Sequence, residues 1–218
     1  MNRKLIYGGT IVDGISMGPG DIVIEGEKIA ALGAPGEFDL LEFDEKISAK
    51  GLIVMPGLVD PHLHFDSPFM GGTTDHDFYT GTKAAAYGGV TSVVSFSTQD
   101  KGSSILEHLN EQEDKIEKQV FVDWSIHGIL HDSEEKTLSQ IPDLIAAGIP
   151  TYKGFTTYRS SGRYLDDSSL LVMMEKTSKY GGMLMLHCEE DASCEYLTKK
   201  AISNGNTEWI YHALSRPA

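Results

Sequence analysis

Beyond Leu52, short apolar runs alternate with longer amphipathic segments, a rhythm that few folds accommodate. The strand candidates are 53–59 continuing to His64, then 90–96, 120–130, 149–155 and 183–188. Between them lie helical patterns over 77–87, 104–118, 134–147 and 167–180, closed by glycines such as Gly88-Gly89, Gly148 and Gly181-Gly182. Alternating strands and helices with β-branched, buried strands imply parallel pairing. The strand ends fall near 64, 96, 129, 154 and 187, in steps of 32, 33, 25 and 33 residues. That is the period of a (β/α) barrel, of which about five units fit in the chain where a closed barrel needs about eight. The expectation is an α/β fold: an incomplete (β/α)8 TIM-type barrel over 52–218.

Residues 1–51 differ in texture. Asp21–Glu25 and Lys28–Leu32 flank Gly26-Glu27, a hairpin signal, and further glycines punctuate the segment. This block reads as part of a small β-sandwich. After the barrel strands, 189–204 and 207–214 read as helices.

Charge narrows the functional classes. Eighteen Lys and Arg against 32 Asp and Glu give a net charge of −14. Such a surface repels phosphate backbones and anionic headgroups, so no nucleic-acid or membrane partner is expected. No apolar run is long enough to cross a bilayer. Two cysteines, Cys188 and Cys194, cannot form a disulfide framework, which suits a reducing, cytoplasmic setting.

The strongest local motif is Pro56-Gly57-Leu58-Val59-Asp60-Pro61-His62-Leu63-His64. Histidines at i and i+2 on an extended strand share a face and can converge on one metal ion. In a barrel, the C-terminal strand ends are where active sites form. His187 ends the fifth strand candidate with the same parity as Met183 and Met185, so it points inward at the same mouth. Lys153 ends the fourth. An inward lysine beside a dication is costly as an ammonium; deprotonated, it can add carbon dioxide to give a carbamate able to bridge two metals. No G-x-S-x-G, Walker A or G-x-G-x-x-G pattern competes. Cys188 points away from His187 by strand parity, and His76, His108, His127, His131 and His212 have no partner spacing.

Together these motifs resemble the hydantoinase/dihydropyrimidinase branch of the metal-dependent amidohydrolases. Gly8–Val12 and Gly20–Ile24 are similar to the opening strands of that family's β-sandwich. Pro56–His64 is similar to its strand-one metal motif, and Ser67–Gly71 with Asp77–Tyr79 to the loop and helix that follow. The resemblance implies two divalent cations, zinc first among them, held by His62, His64, Lys153 as N6-carboxylysine, and His187. It implies a substrate tyrosine at Tyr158, and Phe65 and Phe155 are expected as apolar walls for a ring substituent. The implied activity is hydrolytic opening of hydantoin or dihydropyrimidine rings to N-carbamoyl amino acids, by a homotetramer. A further metal histidine and the catalytic aspartate are expected beyond Ala218, so the chain as it stands is expected to be inactive. The alternatives are an allantoinase- or dihydroorotase-like amidohydrolase and a non-catalytic dihydropyrimidinase-like scaffold. Dihydroorotases place an arginine after H-x-H, where this chain has Phe65.

Overall fold

A computed structural model describes residues 2–69, 72–97 and 102–217. Met70 and Gly71, within the loop expected to follow the histidine pair, lie outside the described residues. The chain divides into two compact units, Met1–Leu58 and Val59–Ala218.

The first unit is a five-stranded sheet. Strands β1 (Arg3–Val12), β2 (Met17–Glu25), β3 (Lys28–Gly33) and β4 (Glu45–Ser48) lie in the order β3-β2-β1-β4, and β5 (Ile53–Val54) pairs with β1. The expected hairpin joins β2 to β3 antiparallel, with Gly26 at φ +63°, a left-handed conformation that a side chain disfavours. Leu5 and Val23, 1% exposed, anchor its buried face.

The second unit is built on a parallel sheet. Its strands are β6 (Leu58–Asp60), β9 (Val90–Phe96), β10 (Asp123–Ile129), β11 (Thr151–Phe155) and β12 (Met183–His187), in the order β12-β11-β10-β9-β6. A two-residue hairpin of β7 (Pro68–Phe69) and β8 (Gly72–Thr73) follows the histidine motif. Helices α1 (Phe78–Tyr87), α2 (Ile105–Glu117), α3 (Glu135–Leu138), α4 (Ile141–Ala146), α5 (Asp167–Lys179), α6 (Asp191–Ser203) and α7 (Ile210–Leu214) fall between and after the strands. Asp77, Ser104, Asp166 and Glu190 cap α1, α2, α5 and α6 by accepting hydrogen bonds from first-turn backbone N–H groups.

Two sequence expectations are corrected. The helix expected over 134–147 is two short ones, because Pro142 enters at the first turn of α4 and cannot donate to the preceding turn. The strand expected over 53–64 is also broken. Pro56 and Gly57 separate β5 from β6, which belong to different sheets. β6 stops at Asp60, because Pro61 has no N–H to continue a ladder.

Strand parity sorts the core of this unit into two layers. Ile126, Tyr152, Leu184 and Leu186 face the helices and pack with Ile105, Leu144 and Met173. Phe96, Ile129, Phe155 and Met185 form a second cluster on the other face. Gly154 sits on the helix side, where an added Cβ would fall 2.9 Å from Leu165 Cδ1 and 3.0 Å from Leu186 Cδ2. Its neighbours Lys153 and Phe155 therefore stand on the opposite, inner face.

Candidate metal centre

Lys153 is the least comfortable residue of the inner face. It is 7% exposed, and no carboxylate among the described residues lies within ion-pair distance of its ammonium. Its neighbours are aromatic: Nζ lies 5.9 Å from the centre of the Phe96 ring and 5.6 Å from that of Phe155. Burial lowers its pKa from the ordinary lysine value, which favours the neutral, nucleophilic amine. In the sheet register Lys153 stands between Ile129 and Met185, and Phe155 stands beside His187.

His62 and His64 lie just past the end of β6 rather than on an extended strand, so period-two alternation is not what pairs them. Phe96 does. The two imidazoles sit 4.6 and 4.7 Å from its ring and 5.6 Å from each other, edge to face. Asp60 accepts a hydrogen bond from the His62 backbone N–H at 3.1 Å. Burial, then the charges of Lys153 and His127, hold His62 below the usual imidazole range. Burial, then His62, Lys153 and Arg163, do the same at His64. Both rings are thus kept neutral, the form in which nitrogen can donate a lone pair to a metal.

His187 ends β12 beside Phe155, ring centres 6.3 Å apart. Its Nε2 lies 3.4 Å from both the Tyr158 hydroxyl and Glu189 Oε1. Tyr158 stands at φ +65°, a left-handed conformation uncommon outside glycine, just after the strand that carries Lys153. Burial and the Glu189 carboxylate raise its pKa, so the phenol keeps the proton it can donate.

Phe65 does not join this group. Its ring packs on α1, 5.6 Å from the Phe78 ring and against Gly81, where a Cβ would fall 2.3 Å from Phe65 Cε1. The expected apolar wall is instead a wedge between the histidine motif and a helix.

Two contributors had no signal in the spacing of histidines. Phe96 is the floor under both imidazoles. His127, pairing with Phe96 in the β9–β10 register, is 6% exposed and braces the motif. Its Nε2 meets the Pro61 carbonyl at 2.8 Å and its Nδ1 meets the Thr151 hydroxyl at 2.5 Å. A carbonyl only accepts, so Nε2 carries the proton that holds the backbone one residue before His62. The inward parity of β10 was the signal that could have found His127.

Among the described residues, no three His, Cys, Asp or Glu side chains come together closely enough to hold a metal ion unaided. The donor set nonetheless fits a metal centre completed by a modified lysine: two neutral imidazoles on one side, a third at His187, and between them a buried amine with no anionic partner.

Residues 53–213 match the Amidohydrolase family model. The chain is 36% identical to the D-hydantoinase of Geobacillus stearothermophilus over 98% of its length and 45% of that protein's. It is 33% identical to the D-hydantoinase of Streptomyces coelicolor over all of this chain and 47% of that one. Among solved structures, the D-hydantoinase from a Bacillus sp. AR9 superposes with a TM-score of 0.90 at 36% identity, covering 98% of this chain and 46% of that one. The dihydropyrimidinase from Brevibacillus agri NCHU1002 superposes at 0.91 and 35% identity, covering 99% and 46%. The chain spans about half the length of the curated relatives it matches.

Proposed function

The chain belongs to the Amidohydrolase family, and from that premise we propose that its inner-face cluster is part of the metal centre of a cyclic amide hydrolase. The substrates would be hydantoins or dihydropyrimidines, opened to N-carbamoyl amino acids, and the sheet would be the first five units of a (β/α)8 barrel. His62 and His64 would hold one divalent cation and His187 a second, with Lys153 between them as carbamate. Zinc suits imidazole and carboxylate-type oxygen ligands. When bound, such cations lower the pKa of water and polarise a carbonyl.

The chain's own residues would act around that chemistry. The neutral Lys153 amine forms an N–C bond to carbon dioxide, one C=O electron pair moves to oxygen, and the nitrogen releases a proton. The product would be an anion whose two oxygens could serve as metal ligands. The Tyr158 phenol, still protonated, would donate a hydrogen bond to the oxygen on which charge develops as the ring carbonyl is attacked. Phe155 would exclude water from one side of the ring.

The observation that carries the reading is Lys153, buried without a carboxylate partner among the described residues, on the face that also carries His187 and the floor of the histidine pair. Purified chain grown with 13C-bicarbonate should show a carbamate carbon by NMR and bind zinc. Lys153→Ala should lose both, and short carboxylic acids should restore part of the zinc by supplying bridging oxygens. Lys153→Ala with undiminished zinc would overturn the assignment, and would favour a scaffold in which the lysine is only a packed side chain.

A further inference from the structure

The turn that presents Tyr158 also presents a second cation to the site, and it is built with unusual care for an exposed connection. Asp191, 6% exposed at the start of α6, accepts hydrogen bonds from Arg159 N at 3.2 Å, Arg159 Nε at 3.0 Å and the Thr157 hydroxyl at 3.4 Å. The Arg159 guanidinium carbon lies 3.6 Å from the centre of the Tyr164 ring. The Tyr158 carbonyl accepts from Ser161 N, Ser161 Oγ and Arg163 N at 3.0, 2.9 and 3.2 Å. Leu165, 4% exposed, returns the chain to the end of β11 through its N–H to the Phe155 carbonyl. Arg163 is thus held between fixed neighbours on both sides.

Its guanidinium carbon lies 5.4 Å from the centre of the Phe155 ring. That is the ring shared by Lys153 Nζ at 5.6 Å, Tyr158 at 6.0 Å and His187 at 6.3 Å. Arg163 is also a cation whose charge is felt at His64 and Tyr158. The chain has four arginines. Arg3 pairs with Glu25, Arg159 with Asp191 and Arg216 with Glu189. Arg163 alone has no carboxylate partner among the described residues. A half-buried guanidinium fixed over an aromatic ring, with its donors unmatched, is suited to bidentate recognition of a carboxylate.

We infer that Arg163 makes this site select cyclic amides whose ring carries a carboxylate arm, over those with apolar substituents. The inference rests on the cyclic amide reading above and adds the substrate's charge. Phe155 then serves as the apolar side of a site whose cationic group is Arg163. The cation that follows H-x-H in dihydroorotases would here be supplied from the loop after the fourth barrel strand, reached through the fold rather than through adjacent sequence.

The test is calorimetric binding to the zinc-loaded 218-residue chain, using hydantoins with a 5-carboxymethyl or 5-(2-carboxyethyl) arm and their uncharged carboxamide counterparts. The wild-type chain should bind at least one acid about ten-fold more tightly than its amide, as expected for a charged hydrogen-bonded pair at a partly solvated site. Arg163→Gln, with its melting temperature unchanged, should bind acid and amide equally. Acid and amide binding within two-fold in the wild type would overturn the inference and leave the cyclic amide reading intact. So would a preference for acid that survives Arg163→Gln, because the carboxylate would then be held elsewhere, at the metal for example. Binding of none of these rings would remove the cyclic amide reading and the inference with it.

Discussion

Replacing Lys153 by methionine should stabilise the metal-free protein while removing its response to metal. Lys153 is 7% exposed, and its ammonium lies near the Phe96 and Phe155 rings with no carboxylate in ion-pair distance among the described residues. Cation–π contacts near 6 Å contribute about 0.5–2 kcal/mol. Leaving a charged group buried without a hydrogen-bond partner costs several kcal/mol. Methionine is similar in length and flexible enough to fill the same space, with a repacking cost of about 1 kcal/mol or less. The balance favours Lys153→Met by about 1–3 kcal/mol, or a rise of about 3–10 °C in melting temperature for a unit of this size. Zinc should reverse the order, since a ligand at a thousand times its Kd adds about 4.1 kcal/mol to the wild type and nothing to a variant that cannot bind it. The assay is a pair of thermal melts by circular dichroism, one with chelator in carbon-dioxide-depleted buffer and one with zinc and bicarbonate. A variant less stable than wild type in chelator would show that the lysine is well accommodated as an ammonium. Equal zinc shifts in the two proteins would show that it takes no part in metal binding.

His127→Phe keeps the ring against Phe96 but removes the bond to the Pro61 carbonyl, and should weaken zinc binding about ten-fold in competition with a chromophoric chelator; unchanged affinity would mean that Phe96 alone positions His62. Gly81→Ala should lower the melting temperature even though alanine favours helix by about 1 kcal/mol, because the new methyl would collide with Phe65 at a cost of about 1–3 kcal/mol. A stabilised variant would mean that Phe65 is free to leave α1. The caps Asp77 and Asp166 have pKa values lowered from 3.8 by hydrogen bonds from the backbone N–H groups of Thr80 and Ser169. Their folded pKa values lie below the unfolded ones, so their contribution is complete above about pH 4 and is lost as pH falls through the lowered values. Between pH 5 and 3 the wild type should therefore lose more melting temperature than the Asp77→Asn/Asp166→Asn double variant, whose caps do not titrate; parallel curves would exclude these caps as a source of acid lability.

Much of this protein is written in short-range chemistry. The β2–β3 hairpin, the capped starts of α1, α2 and α5, and the alternation of strand and helix each depend on residues within a few positions of one another, so spacing and capping reveal them. The inward parity of Lys153, Phe155 and His187 is also legible, because alternation along a strand is a property of the extended backbone. What the tertiary structure decided lies at chain breaks and between distant segments. Pro56-Gly57 reads as part of one apolar run, yet β5 and β6 join different sheets, which only the competing partners for their backbone groups could determine. His62 and His64 are paired by the Phe96 ring of β9, and Phe65 is drawn away by a gap at Gly81. His127 acquires its role from a carbonyl 66 positions earlier. Arg163 reaches the site because Asp191 pins the intervening turn. A packing cavity and an unmatched charge are made by elements that meet only when the chain has folded, so neither can be read from the residues beside it.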